Sequence, residues 1–481
     1  MSRLNELFSR LMKCIARSKM ALAGGAVACV LFPMLLVSVT LDLIGWVENP
    51  YFSFLLYLTL TPLLVIAVIL TAVGIFRSRG ESSYTFESFK EHLTTPERYR
   101  AIRRHAYIYT ILASSFLFFL GVVAVSSQKY SASMSFCANF CHKVMAPAYI
   151  TYKNSPHSQV PCVACHAGKN SRPWLARRQL TGLQQLYVAV TDSYSLPLKT
   201  PSNHLRPSRE TCEQCHWPDK FHGLRLRLID KFLADTTNSH VQTAMLMKIG
   251  SGGQVGLPAH DIHWHTSKQH RLYYETLDDE RREITRVTVI KSDKSTTNYV
   301  KKGVLQPVPG SKRRLMDCID CHNRPTHFLL SPDSALNEKL LTGQIPPDLP
   351  FIKRVALSAI TREYRSALEA HETISAQVRH WYAVYRPDLA TKQPALIDQA
   401  VRGTQRAYSE NIFPDMKVSW DTYPDFIGHR NNSGCFRCHD GSFETSEGTR
   451  ISHDCKLCHI ILAENVPVDQ VMETIIKGNR K

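Results

Sequence analysis

The sequence has no low-complexity tract, no tandem repeat beyond short cysteine motifs and no long run of lysine or arginine. The last absence matters because the formal charge is +17, from 58 Lys+Arg against 41 Asp+Glu. Scattered positives read as a solvated basic surface rather than a nucleic-acid footprint. A mean hydropathy of −0.18 excludes a polytopic transporter, and 44% hydrophobic residues argues against a disordered chain. Fourteen cysteines in 481 residues are too few for a disulfide scaffold. The length itself suggests about three domains.

Charge is nearly missing from three stretches near the front. Residues 21–44 carry only Asp42, while 51–76 and 106–128 carry none. Each is long enough to cross a hydrocarbon core as a helix, which takes about 20 residues. The first run is too long for the apolar region of a cleaved signal peptide, and two more follow. Lysine and arginine flank the first run at Arg3, Arg10, Lys13, Arg17 and Lys19, and crowd the loop between the second and third. The loop around Glu48 has no positive charge. The positive-inside bias therefore predicts three transmembrane helices with everything after about residue 128 outside, in the periplasm or its equivalent.

Twelve of the fourteen cysteines fall in six close pairs, each followed at once by histidine. The motifs are Cys137-x-x-x-Cys141-His142, Cys162-x-x-Cys165-His166, Cys212-x-x-Cys215-His216, Cys318-x-x-Cys321-His322, Cys435-x-x-Cys438-His439 and Cys455-x-x-Cys458-His459. C-x-x-C-H is the attachment signature of c-type haem. Two cysteines on one turn can form thioethers to one porphyrin edge, and the next histidine then points at the iron. Zinc does not require histidine after the second cysteine, and a redox C-x-x-C is normally single. The motifs predict six covalent haems, whose propionates account for part of the basic excess.

Thirteen further histidines follow residue 128. A second imidazole would close the iron's open face and leave an electron carrier. His157, His222, His327, His429 and His453 are candidates because they lie close to motifs. A short segment cannot wrap its own haem, so His327 is expected to reach a neighbouring one. His263 and His265 stand in a locally motif-free His-rich segment and are expected to serve haems elsewhere. Met145, three residues after His142, is a candidate ligand at the first haem.

The expected fold class is mainly α with much irregular structure: transmembrane helices, then a multihaem cytochrome c domain with a small β-hairpin. The hairpin reads from the strand-like runs starting at Leu272 and Ile284. The expected divisions are a membrane anchor at 1–127, a region with three haems at 128–230, a His-rich segment with the hairpin and fourth haem at 231–330, a haem-free helical segment at 331–425, and the last two haems at 426–481.

Two longer patterns carry a resemblance. Phe136-Cys-x-x-x-Cys-His-x-x-Met145-Ala-Pro, followed by Lys153-Asn-Ser-Pro-His157-x-x-Val-x-Cys162-x-x-Cys-His166, resembles the NapC/NirT family of membrane-anchored multihaem cytochromes. The segments Cys212-Glu-Gln-Cys-His-Trp217, His263-Trp-His265, Cys318-Ile-Asp-Cys-His-Asn-Arg-Pro-Thr-His327 and Gly434-Cys-Phe-Arg-Cys-His-Asp-Gly441 are similar to its longer, ImcH-like inner-membrane branch. The extra residue in the first motif and the shifted Met145 depart from the family pattern and leave that haem's ligation open.

The resemblance implies a cytochrome that oxidises a membrane quinol, such as menaquinol. Electrons would pass along its haems to periplasmic c-type cytochromes or outer-membrane acceptors in anaerobic or extracellular respiration. The partners expected are the lipid bilayer, quinol and those cytochromes, with no nucleic acid. No catalytic side chain is singled out. By position, Lys129, Lys143, Lys153, Asp42 and Glu48 are candidates to accept quinol protons. The alternative is a periplasmic reductase of nitrite or another small oxyanion at an open haem.

Overall fold

The computed structural model describes residues 18–43, 59–77, 133–134, 136–140, 142–166, 187–189, 191–198, 208–217, 223–253, 258–304, 308–429 and 433–478, with the single residues 96 and 130. They fall into two compact units that meet in sequence between Phe136 and Cys137.

In the first unit, α1 (Lys19–Leu43) and α2 (Thr61–Arg77) pack through small residues. A Cβ on Gly24 would sit 2.7 Å from the Ala67 carbonyl, and one on Gly74 would sit 2.5 Å from the Ala21 nitrogen. Glycine at both positions lets the two backbones approach closely. Away from this seam the helices expose Val30, Phe32, Leu36, Ile66, Ile69 and Phe76. That is the pattern of a surface facing lipid. Among the described residues only α1 is long and apolar enough to cross a membrane; α2 has 17 residues. The expected third span at 106–128 lies outside the described residues.

A π-helical turn, Phe136–Phe140, begins at the last residue of the first unit, and α3 (His142–Lys153) lies in the second. A π turn holds one residue more than an α turn, so it takes up the extra residue of the first motif.

Two antiparallel sheets follow. One has the order β1 (Leu224–Phe232), β2 (His240–Lys248), β8 (His459–Pro467). The other has the order β6 (Lys312–Leu315), β3 (Arg271–Thr276), β4 (Ile284–Ile290), β5 (Thr296–Lys301), β7 (Phe443–Glu444). Strands β3 and β4 pair from Arg271↔Ile290 to Thr276↔Ile284, in the middle of five strands. The fold is therefore mixed helix and sheet, which corrects the expectation of a mainly α chain. Leu272, Tyr274, Val287, Val289, Met316 and Phe443 form the core of the larger sheet, with Cys438 of the fifth motif packed against it.

A helical segment carries the largest core. It comprises α4 (Pro332–Leu341), α5 (Ile352–Ile360), α6 (Ala367–Tyr385), α7 (Pro387–Lys392) and α8 (Pro394–Ser409). Proline opens α4, α7 and α8, at the position where a missing N–H costs nothing. Ser331 and Ser366 cap α4 and α6 by accepting from the Ser334 and Glu369 nitrogens. Leu336, Ile345, Ile352, Ile374 and Tyr382 are fully buried between these helices. The chain closes with α9 (Val471–Gly478), which packs on β8.

Candidate haem-ligating histidine pairs

The cysteines of the five C-x-x-C-H motifs are each held at a single turn of helix; in the last motif the histidine already opens strand β8. His216, His322 and His439 donate backbone N–H bonds of 2.8, 2.8 and 3.0 Å to the carbonyls of Cys212, Cys318 and Cys435. The turn brings the two cysteines of a pair to one side and stacks the histidine over the first, which is what four-residue periodicity does. Of the first motif, the side chains of Cys141 and His142 lie outside the described residues, and Met145 is half-buried in α3.

The motif histidines are met by imidazoles from elsewhere in the chain. His166 faces His327 with ring centroids 6.1 Å apart, and His216 faces His157 at 5.9 Å. His439 faces His265 at 5.8 Å and His459 faces His429 at 6.2 Å. His322 has His263 as an electrostatic neighbour. These are not stacking distances: Trp264 stacks on His270 at 4.1 Å and His429 on Phe436 at 4.3 Å. Two imidazole nitrogens about 2 Å from one metal ion, on opposite sides, put ring centroids roughly 6 Å apart.

The outer nitrogens are used consistently. Nδ1 of His263 lies 2.7 Å from the Ile249 carbonyl, that of His265 2.8 Å from Ile262, that of His327 2.9 Å from Ala148, and that of His439 2.7 Å from Ser452. His157 makes a longer contact of 3.3 Å to the Pro325 carbonyl. A carbonyl can only accept, so Nδ1 carries the proton and Nε2 keeps its lone pair for a metal. Loss of solvation pushes the pKa of His265 and of His327 down to about 4, and lowers those of His166 and His322. Each of these shifts favours the neutral imidazole, the form a metal ligand needs. His459 is an exception in one respect: its buried Nδ1 has no partner among the described residues.

The cysteines follow one another in sequence order. Cys165 of the second motif is an electrostatic neighbour of Cys215 of the third. Cys212 of the third shares a hydrogen bond with Cys318 of the fourth. Cys321 of the fourth lies near Cys435 and Cys438 of the fifth, and Cys458 of the sixth lies near Cys435.

Two sequence candidates stand apart. His453 packs against Gly441, where a Cβ would sit 3.3 Å from its ring, and faces no second imidazole among the described residues. His222 lies outside them. Sequence reasoning also missed a set of charges: the buried Asp320 and Arg437, each between the cysteines of a motif, the buried Arg281, and the half-buried Arg314 and Arg324. Charge at the variable positions of C-x-x-C was the available signal. Arg324 donates 2.6 Å to the His327 carbonyl and lies over the Tyr423 ring at 4.4 Å. Burial pushes its pKa down to about 10.

The donor set fits haem better than a bare ion. Among the described residues no group of three or more His, Cys, Asp or Glu is placed to hold a metal. Opposed imidazole pairs beside thiol pairs are instead what a flat, covalently attached macrocycle needs.

The cytochrome c-type protein ImcH of Geobacter sulfurreducens is 36% identical over 463 residues, covering 95% of this chain and 90% of its own length. The cytochrome c nitrite reductase subunit NrfH of Nitratidesulfovibrio vulgaris is 30% identical over 108 residues, covering 20% of this chain and 62% of its own. No protein-family profile and no solved structure matches the chain. With its apolar front helix, its thiol pairs and its covalent-haem motifs, the chain belongs to the membrane-anchored c-type cytochromes of electron transfer, NapC/NirT type, in the ImcH-like branch.

Proposed function

We propose that this chain is a hexahaem quinol dehydrogenase of the inner membrane, with its haem domain in the periplasm. It would draw electrons from menaquinol and deliver them to periplasmic c-type cytochromes or outer-membrane acceptors. Haem c supplies one-electron chemistry at its iron, at a potential set by axial ligands and burial. The chain's residues do the rest.

Cys162/Cys165, Cys212/Cys215, Cys318/Cys321, Cys435/Cys438 and Cys455/Cys458 would attach five groups, and Cys137/Cys141 a sixth. His157, His263, His265, His327 and His429 would close the faces opposite the motif histidines. One observation carries the reading: with haem attached at those motifs, the ring pairs at 5.8–6.2 Å would leave no coordination position for substrate. That favours a conduit over an oxyanion reductase. The sequence-ordered row of thiols supports a single line of transfer.

Quinol arrives through lipid, so its protons need acceptors near the membrane surface. Of Lys129, Lys143, Lys153, Asp42 and Glu48, only the Lys153 side chain is described; its ammonium lies 5.2 Å over the Tyr149 ring and is open to solvent.

The test is to mix the oxidised, membrane-purified protein with a menaquinol analogue and follow the haem α-band. Reduction is expected. Haems that stay oxidised with the analogue yet reduce with dithionite would refute the quinol reading. A substantial high-spin fraction that binds nitrite would favour the reductase.

A further inference from the structure

The fourth and fifth attachment turns are joined by charged residues that the C-x-x-C-H signature leaves free to vary. Asp320 stands between Cys318 and Cys321, and its side chain is fully buried. Its Oδ1 accepts from Tyr274 Oη at 2.7 Å, Arg281 Nη1 at 2.6 Å and Arg314 Nε at 3.0 Å. Its Oδ2 accepts from the Asp317 nitrogen at 2.8 Å. The backbone carbonyl of Asp320 accepts from Arg437 Nη2 at 2.5 Å.

Arg437 stands between Cys435 and Cys438 and is also buried. Besides Asp320 it holds the Arg281 carbonyl through Nη1 at 2.8 Å and its own turn through Nε to Gly434 at 2.9 Å. Its guanidinium lies 3.6 Å over the Phe426 ring. Asn323, next after His322, ties the same two segments again by bonding the Pro424 carbonyl and the Phe426 nitrogen.

Two properties set this cluster apart from a routine buried ion pair. First, Arg437 is satisfied by carbonyls and a ring, with no carboxylate in direct contact. Its charge is felt at Cys321, Cys435 and Cys438. Second, the cluster is unbalanced. Arg281 and Arg314 pair with Asp320 and Asp317, and Arg437, held by carbonyls alone, adds a third cation to the two anions. Arg281 adopts a left-handed backbone with φ of 61° to take part, and its buried Nε has no partner among the described residues. Burying such charge is costly and persists only where the surrounding fold over-determines it.

We infer that Asp320 and Arg437 are positioning residues that clasp the fourth and fifth haem-attachment turns together and, through the net positive charge of their cluster, raise the reduction potentials of the haems held there above those of their neighbours. An excess cation favours the electron-bearing state of any redox group beside it, and low local polarity strengthens the effect. The fourth and fifth positions then form a joined pair of electron-rich sites in the later half of the row. The inference rests on covalent haem at these two motifs, and it is independent of quinol as the donor.

The test uses the full-length protein, with haem content counted by intact mass and potentials read by mediated spectroelectrochemical titration of the α-band. Arg437→Gln removes a cation, and Asp320→Asn removes an anion while keeping its shape. A clasp that acts through charge shifts part of the titration curve to lower potential in the first and to higher potential in the second. A purely structural role gives shifts of the same sign or none, and either result overturns the inference if haem content matches the parent. Should only one of the two variants assemble, the sign of its shift decides. Should neither assemble, Arg437→Lys is measured, which keeps the charge but not the planar fork; a curve near the parent supports the inference and one displaced downward overturns it. A haem count short at the fourth and fifth motifs in the parent itself would instead refute the attachment reading.

Discussion

Replacing His265 by alanine should open one coordination position and nothing else. Its ring stands 5.8 Å from that of His439 at an interplanar angle of 71°, and its Nδ1 is anchored on Ile262. With a pKa near 4, a proton does not compete for its Nε2 at ordinary pH. On the proposed pairing, removing the ring would leave His439 as the one protein ligand at that position, so one haem per chain should turn from low-spin to high-spin. The assay is carbon monoxide uptake by the reduced protein, as the difference between variant and parent, because ligation at the first motif is not fixed by the structure. The expected difference is one carbon monoxide per chain. His265→Ala combined with His327→Ala should give two, since their partners belong to different motifs. His270→Ala is the control: that ring stacks on Trp264 and should give none. His270 also lies close enough to swing in, so the His265→Ala/His270→Ala double variant is measured beside the single one. If the double variant keeps its full haem content yet takes up no extra carbon monoxide, the pairing is wrong.

Other outcomes follow from the same geometry. Tyr152→Phe removes the hydroxyl that bonds the Ser158 and Val160 carbonyls at 2.6 and 2.9 Å, bonds that shape the turn carrying His157. Losing the single hydroxyl proton that these two carbonyls share should cost about 1–3 kcal/mol, and electron paramagnetic resonance should show one haem with altered g-values. Leu336→Ala, fully buried in the helical segment, should cost about 2–5 kcal/mol in thermal unfolding while the haem spectrum at room temperature stays unchanged. Gly434→Ala should lose the fifth haem by mass, because a Cβ there would run into the Gly428 carbonyl and the backbone is left-handed with φ of 44°.

The attachment turns were legible in the sequence because their geometry is local: one helical turn aligns Cys212, Cys215 and His216 wherever the rest of the chain goes. Imidazole partners were only half legible. Nearness to a motif singled out His157, His327 and His429, yet each faces a histidine of a different motif: His157 and His429 that of the next one along, and His327, beside the fourth, that of the second. The same nearness singled out His453, which turns against Gly441 instead. Of the membrane spans, only the first has a described counterpart of spanning length. The sheets were underestimated for two reasons. Leu224-Arg-Leu-Arg-Leu228 alternates as a strand should, but it adjoins a motif region and went unread. Lys312-Arg-Arg-Leu315 has no apolar face at all; it is a strand only because β3 offers an edge. Nothing local marks Asp320 or Arg437 as buried, since their burial depends on two turns that are 117 residues apart meeting.

Strand β8 begins at the histidine of the final motif and pairs with β2, more than two hundred residues earlier. Until that late strand is made, β2 keeps a bare edge and the smaller sheet cannot close. Contacts of such long range form last and slowly. Most cysteine pairs therefore emerge on a chain that has not yet finished folding. The smaller sheet can therefore be completed only once all six cysteine pairs are already in the chain.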